Sequence, residues 1–160
     1  MTKYEKLVVE AENIGIEVRE IDFGTDKRSG RCLNNIIYIN SRMLEIEKYE
    51  VLAEEIGHYK TTLGNILNQN DINNRKLENI ARREGYKTII EPIDIVEAMR
   101  HGAKGIHEMA EYVEVTPETL IDILNDYKKQ YGVRIRVGNY CLILEPWFGI
   151  IQDYGGFLQY

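Results

Sequence analysis

The sequence predicts an α+β fold, and three observations carry that prediction. Residues 3–14 repeat apolar side chains at helical spacing (Tyr4, Leu7, Val8, Ala11) and stop at Gly15. "IEVREIDF" (16–23) then alternates apolar and polar residues, the signature of a half-buried strand. Further helical stripes fill the middle of the chain before "VRIRV" and "YCLILE" return to strand character.

Taken in order, the polar stretch from Gly24 to Gly30 reads as a turn, and "CLNNIIYIN" (32–40) as a second strand antiparallel to the first. Ser41 is placed to cap a helix over 43–60 with the stripe Leu44, Tyr49, Leu52, Ile56 and Tyr59. Residues 61–73 are rich in Asn, lack a period and read as a loop. A helix over 74–87 follows, and Pro92 opens another over 93–101. "GIHEMAEYVEVTPETLIDILNDYKKQYG" (105–132) reads as short helix, turn and long helix. Thr116 is its N-cap and Pro117 its first helical residue. A hairpin across Gly138-Asn139 joins 133–137 to 140–145. The aromatic tail (Trp147, Phe148, Tyr154, Phe157, Tyr160) carries no pattern that assigns it.

Composition narrows the function. A net charge of −6 and a pI near 5.2 argue against a sequence-independent phosphate binder. Cys32 and Cys141 stand far apart, so they make neither a disulfide framework nor a zinc knuckle, and they read as reduced core thiols. The charged start "MTKYEKLVVEAE" is unlike a signal peptide, and no apolar run reaches membrane-spanning length. The expectation is a cytoplasmic protein without membrane association.

The chemistry concentrates in "VLAEEIGHYKTT" (51–62), where Glu54-Glu55-Ile56-Gly57-His58 reads as H-E-x-x-H with Glu at the first position. Helical spacing puts Glu54 and His58 one turn apart on one face, where both side chains can reach one ion. Glu55 lies beside that face, where a carboxylate can take a proton from an activated water. Carboxylate oxygen binds zinc at nearly the distance of imidazole nitrogen, so Glu54 remains competent as a ligand. Its added charge lowers the ion's Lewis acidity, and an oxygen-richer site selects less sharply for zinc over manganese or iron. A third ligand is available in Glu78 on the next helix, where Ala81 and Gly85 are small enough for close approach. Glu84 and Asp71 are weaker candidates. An acidic pair and one His on a solvated face are also common with no metal at all.

Three segments in order, "VLAEEIGHYKTTLGNI", "NRKLENIARREGYK" and "IHEMAEYVEVTPETLIDIL", resemble the phage and mobile-element branch of the ImmA/IrrE metallopeptidases. The resemblance runs from "YEKLVVEAENIGIEV" to "YGV". It implies a zincin-like, zinc-dependent peptidase core and a partner helix-turn-helix repressor that the enzyme cleaves or inactivates. It also implies metal ligands at His58 and Glu78 and a general base at Glu55. Glu54 departs from the common pattern, which has His there.

The expected organisation is a metallopeptidase-like core over 1–91 with a small antiparallel N-terminal sheet. Residues 92–160 follow as a helix-turn-helix-like segment with a C-terminal hairpin and tail, packed on the core. The function expected is a metal-dependent endopeptidase that cleaves or inactivates a repressor. The alternative is a non-catalytic anti-repressor that binds its partner through the old cleft. Direct DNA binding is not expected. The second helix of the segment begins Pro117-Glu118-Thr119-Leu120-Ile121-Asp122 and has no basic residue before Lys128. His107 and Glu111 have ligand spacing, but Ala110, Val113, Val115 and Leu120 make that segment a packing module. His101, near a helix end, reads as structural.

Overall fold

A computed structural model describes residues 1–65 and 74–154. The chain forms two compact units, Met1–Ile89 and Ile90–Tyr160. Among the described residues, no helix is long and apolar enough to cross a membrane.

The first unit begins with α1 (Lys3–Asn13), held at its start by a reciprocal cap between Thr2 and Glu5. The helix stops before Gly15, whose φ of +86° is left-handed and suits glycine. Three strands follow, β1 (Glu17–Ile21), β2 (Gly30–Leu33) and β3 (Ile36–Asn40). They form one sheet in the order β1-β3-β2, with β3 antiparallel to β2 and parallel to β1.

This sheet corrects two expectations. "CLNNIIYIN" is not one strand but most of a hairpin, because Asn34 takes φ +55° and folds the chain back so that Leu33 faces Ile36. Asn tolerates the left-handed region better than most residues, so Asn34-Asn35 suits a two-residue loop. The pairing of the first strand is the second correction. Once β2 takes the antiparallel side of β3, β1 pairs with the other side, and the direction of the chain there makes it parallel.

The loop that permits this crossover is tied down by buried polar groups. Asn40, fully buried, donates from Nδ2 to the carbonyls of Thr25 (2.8 Å) and Lys27 (3.0 Å). Arg28 reaches the buried Glu50 carboxylate at 2.8 Å. A buried carboxylate without its cation would be strongly destabilising, so this pair fixes the loop to the helix below.

That helix is α2 (Glu45–Asn65), followed by α3 (Asn74–Ile89). Ser41 does not cap α2, which begins at Glu45; its N–H donates to the Ile21 carbonyl at 2.8 Å. The helix starts two residues later than expected. The Leu44 carbonyl accepts the first helical bond from Lys48, and the Glu47 carboxylate accepts from the Leu44 N–H. It also runs past residue 60, since "TTLGN" contains no proline to break it. Of the stripe, Leu52 and Ile56 are buried while Leu44 is exposed. The core of this unit joins Leu7 and Ala11 of α1, Ile37 and Ile39 of β3, and Leu52, Ala53 and Ile56 of α2.

The second unit contains α4 (Pro92–Arg100), α5 (Ile106–Val113) and α6 (Pro117–Tyr131). Thr116 caps α6, its hydroxyl accepting from the Thr119 N–H at 3.3 Å. Ala110, Val113, Val115 and Leu120 are all buried, in keeping with a packing role for the α5–α6 segment. The chain ends in an antiparallel sheet of β4 (Arg134–Val137), β5 (Tyr140–Ile143) and β6 (Gly149–Gln152). The expected hairpin is there, with Gly138 at φ +56°. The third strand was not legible, because "GIIQ" is short and lies behind Pro146 and two aromatics. Gly149 fits beneath the Trp147 ring, which a Cβ at that position would meet at 2.4 Å. Phe157 and Tyr160 of the tail lie outside the described residues.

Tyr127 of α6 ties two parts of this unit together. Its buried hydroxyl donates to the Ile90 carbonyl at 3.0 Å, and burial raises the phenol pKa. A raised folded-state pKa contributes stability that is fully present below the ordinary tyrosine value, about 10, and is lost as pH rises beyond it. Tyr127→Phe is therefore expected to cost about 1 kcal/mol at pH 8. The gap to the natural chain should shrink at pH 11 in urea denaturation. A gap that stays constant with pH would show that the phenol ionises equally in both states.

Candidate metal centre

The site is built where α2 and α3 cross, and glycines set how closely they approach. A Cβ placed on Gly57 would lie 2.2 Å from the Ala81 carbonyl oxygen and 2.7 Å from the Gly85 nitrogen. One on Gly85 would lie 2.8 Å from the Ala53 carbonyl oxygen and 3.1 Å from the Glu54 Cα. Backbone therefore touches backbone, with Ala81 buried between. Gly57 sits inside the motif itself, so the residue that admits α3 is one turn from Glu54 and adjacent to His58.

This approach brings three side chains together. One ligand atom from each of Glu54, His58 and Glu78 lies within 4.8 Å of the others. His58 Nε2 is 3.7 Å from Glu78 Oε1. Donors on a tetrahedral zinc ion sit about 3.3 Å apart, given bond lengths near 2.0 Å. The side chains of His58 and Glu78 are 33% and 46% exposed, so small rotations close the difference. One nitrogen and two carboxylate oxygens, with a fourth position open, suit a catalytic divalent ion. Among the described residues, no other three His, Cys, Asp or Glu side chains gather this closely.

Glu55 lies beside the cluster and packs against the sheet. Gly30 of β2 lies against it, so that a Cβ there would meet Glu55 Cγ at 3.0 Å. Burial raises the Glu55 pKa above the usual carboxylate range, with Glu54 and Glu78 adding to the rise. The nearby His58 and a hydrogen bond from the Cys32 backbone act in the opposite sense. A carboxylate with an elevated proton affinity, next to a candidate metal centre, is suited to proton transfer.

The remaining candidates lie elsewhere. Glu84 pairs with Lys87 at 2.7 Å and stays outside the cluster. Asp71 lies outside the described residues. His107 and Glu111 are exposed on α5. His101 caps α4, its Nδ1 2.8 Å from the Glu97 carbonyl, and stacks on Tyr112 at 5.4 Å. Both cysteines are free, Cys141 buried and Cys32 partly so.

Two participants were not singled out from the sequence. For Gly57 the available signal is a small residue inside the motif, matched by the small Ala81 and Gly85 on the next helix. Arg82 is the other. It sits one turn beyond Glu78, and its guanidinium lies 3.5 Å from Glu78 Oε1 and 4.0 Å from Glu54 Oε1.

A family model described as the IrrE N-terminal-like domain, a peptidase family, matches residues 11–124 and so spans every residue of this cluster. Neither a search of curated proteins nor one of solved structures returns a match. With the matched region covering most of the sequence and both helices of the centre, the chain belongs to the ImmA/IrrE family of metallopeptidases.

Proposed function

We propose that the protein is a metal-dependent endopeptidase of phage or mobile-element origin that cuts, and thereby inactivates, a partner helix-turn-helix repressor in the cytoplasm. The observation that carries the reading is the convergence of Glu54, His58 and Glu78 beside a carboxylate, Glu55, whose proton affinity is raised. Glu54, His58 and Glu78 would hold the ion, with zinc the first choice and manganese or iron open to an oxygen-rich site. A bound divalent ion supplies Lewis acidity, both to water and to a peptide carbonyl. Glu55 receives the proton of the attacking water and passes it to the departing amine. Glu55 is partly buried against β2 and interacts with His58, Glu54 and Glu78, which supports a role beside the ion. The acidic surface of α5 and the start of α6 (Glu108, Glu111, Glu118) supports a protein partner rather than DNA.

A second reading rests on Glu54. Its carboxylate adds negative charge where the family pattern has a neutral imidazole, and that weakens the ion as an acid. On this reading the protein binds its repressor without cutting it.

Metal analysis and co-expression separate the two. The natural chain is expected to carry one divalent ion, and His58→Ala to carry none, by elemental analysis after purification. Co-expression with a candidate helix-turn-helix repressor should yield a cut repressor. An intact repressor co-purifying with metal-loaded protein would favour the binding role. Cutting that appears only in Glu54→His would show the same. A metal-free natural chain would overturn the enzymatic reading.

A further inference from the structure

We propose that Arg82 is the positioning residue that makes Glu54 serviceable as a metal ligand. The inference rests on the metal-centre reading above and adds a residue to it. Arg82 Nη2 lies 3.5 Å from Glu78 Oε1, and its Nε lies 4.0 Å from Glu54 Oε1. One planar guanidinium thus addresses two carboxylates on two different helices, through two of its own nitrogens. Arginine suits this task because its donors are fixed in a fork and its charge is permanent.

Charge explains why such a partner belongs here. Glu54, Glu55 and Glu78 bring three negative charges within one helical turn of the crossing. A divalent ion offsets two of them. Arg82 supplies the third positive charge, and it does so beside Glu54, the residue that carries the excess. With His at position 54, the ion alone would balance Glu55 and Glu78, and no further cation would be required. Arg82 hydrogen-bonds the Glu78 carboxylate and stands at ion-pair distance from Glu54. Outer partners of metal-ligating carboxylates orient them and tune their basicity, and their loss commonly costs about 10–100-fold in metal affinity.

The bland alternative is a surface ion pair. Arg82, Glu54 and Glu78 have side chains 47%, 41% and 46% exposed, and pairs so exposed add little to stability. That reading predicts no effect on metal binding and none that depends on residue 54. The two accounts therefore separate in a cycle.

Cobalt(II) is the probe, titrated into the metal-free natural chain, Arg82→Met, Glu54→His and the double variant, with visible absorption reporting both affinity and ligand geometry. Arg82→Met is expected to weaken cobalt binding about 10-fold or more where Glu54 is present, and to shift the absorption bands. In the Glu54→His background the same change should weaken binding less than about 3-fold, because the imidazole has no charge to offset. Arg82→Lys should recover part of the loss, keeping the charge without the fork. Melting temperatures of the metal-free proteins should agree within about 2 °C, which separates positioning from unfolding. Equal losses in both backgrounds would overturn the proposal, placing the action of Arg82 on Glu78 alone. No loss, or tighter binding in Arg82→Met, would overturn it too, the latter by showing that Arg82 competes with the ion. If the natural chain and Glu54→His stay folded yet neither takes up cobalt, the metal-centre reading itself fails and Arg82 falls with it.

Discussion

Gly57→Ala is expected to destabilise the protein by about 2–3 kcal/mol and to abolish metal binding in the same step. Two effects of this change oppose each other. Alanine is the better helix former, by about 1 kcal/mol in a helix interior. Against that, its Cβ would stand 2.2 Å from the Ala81 carbonyl oxygen and 2.7 Å from the Gly85 nitrogen. Both neighbours are backbone atoms, so no rotamer change relieves the clash, and α3 must move off α2. Steric overlap wins. The displacement falls on Glu78, which reaches the cluster from α3 and sits 3.7 Å from His58. Gly85→Ala meets its nearest backbone atom at 2.8 Å and should show a weaker form of the same behaviour. Urea denaturation of the metal-free protein and cobalt uptake measure the two halves separately. An unchanged midpoint together with full uptake would show that the helices do not need this contact.

What the sequence disclosed depended on how local the determining interactions were. The α5–α6 pair was legible because its signals lie within a few residues: Thr116 caps, Pro117 starts the helix, and Ala110, Val113, Val115 and Leu120 repeat at packing intervals. The hairpin across Gly138-Asn139 was legible for the same reason. The N-terminal sheet was not, because which strand lies beside β3 is decided by the path of residues 22–29. That path is held by Asn40 and by the Arg28–Glu50 pair, contacts between residues far apart in sequence. Ser41 looked like a cap because Ser commonly is one, but the helix begins only at Glu45, and the Glu47 carboxylate takes the Leu44 N–H there. The site divides along the same line. Glu54 and His58 follow from helical spacing alone. The approach of Glu78 was inferred from the small residues Ala81 and Gly85, and the crossing does use them. The place of Arg82 follows only once α2 and α3 are in register, since its second partner, Glu54, lies on the other helix.

Under the proposed function, Glu55→Gln is expected to reduce repressor cleavage about 1,000-fold or more while leaving the ion in place. The substitution keeps shape and removes the carboxylate proposed to accept the proton, and Glu55 is not among the three side chains that converge on the candidate ion. The same variant carries a second, independent expectation, because burial raises the Glu55 pKa in the folded chain. A folded-state pKa above the unfolded value means that the folded protein holds the proton more tightly. The corresponding stability is fully present below the ordinary glutamate range, near 4.3, and is lost as pH rises through the elevated folded value. Ionised, the Glu55 carboxylate sits in a partly desolvated position, with only the Cys32 backbone bond and His58 in its favour. Gln has no charge to desolvate. In the presence of chelator, Glu55→Gln should melt above the natural chain at pH 8 and close to it at pH 4. Were the difference the same at both pH values, Glu55 would be as well solvated in the folded chain as in the unfolded one. Cleavage that survives the substitution would remove Glu55 from the proton-transfer role, whatever the stability data showed. Loss of cleavage with loss of the ion would instead make Glu55 a ligand, and Glu54 the residue that stands beside the centre.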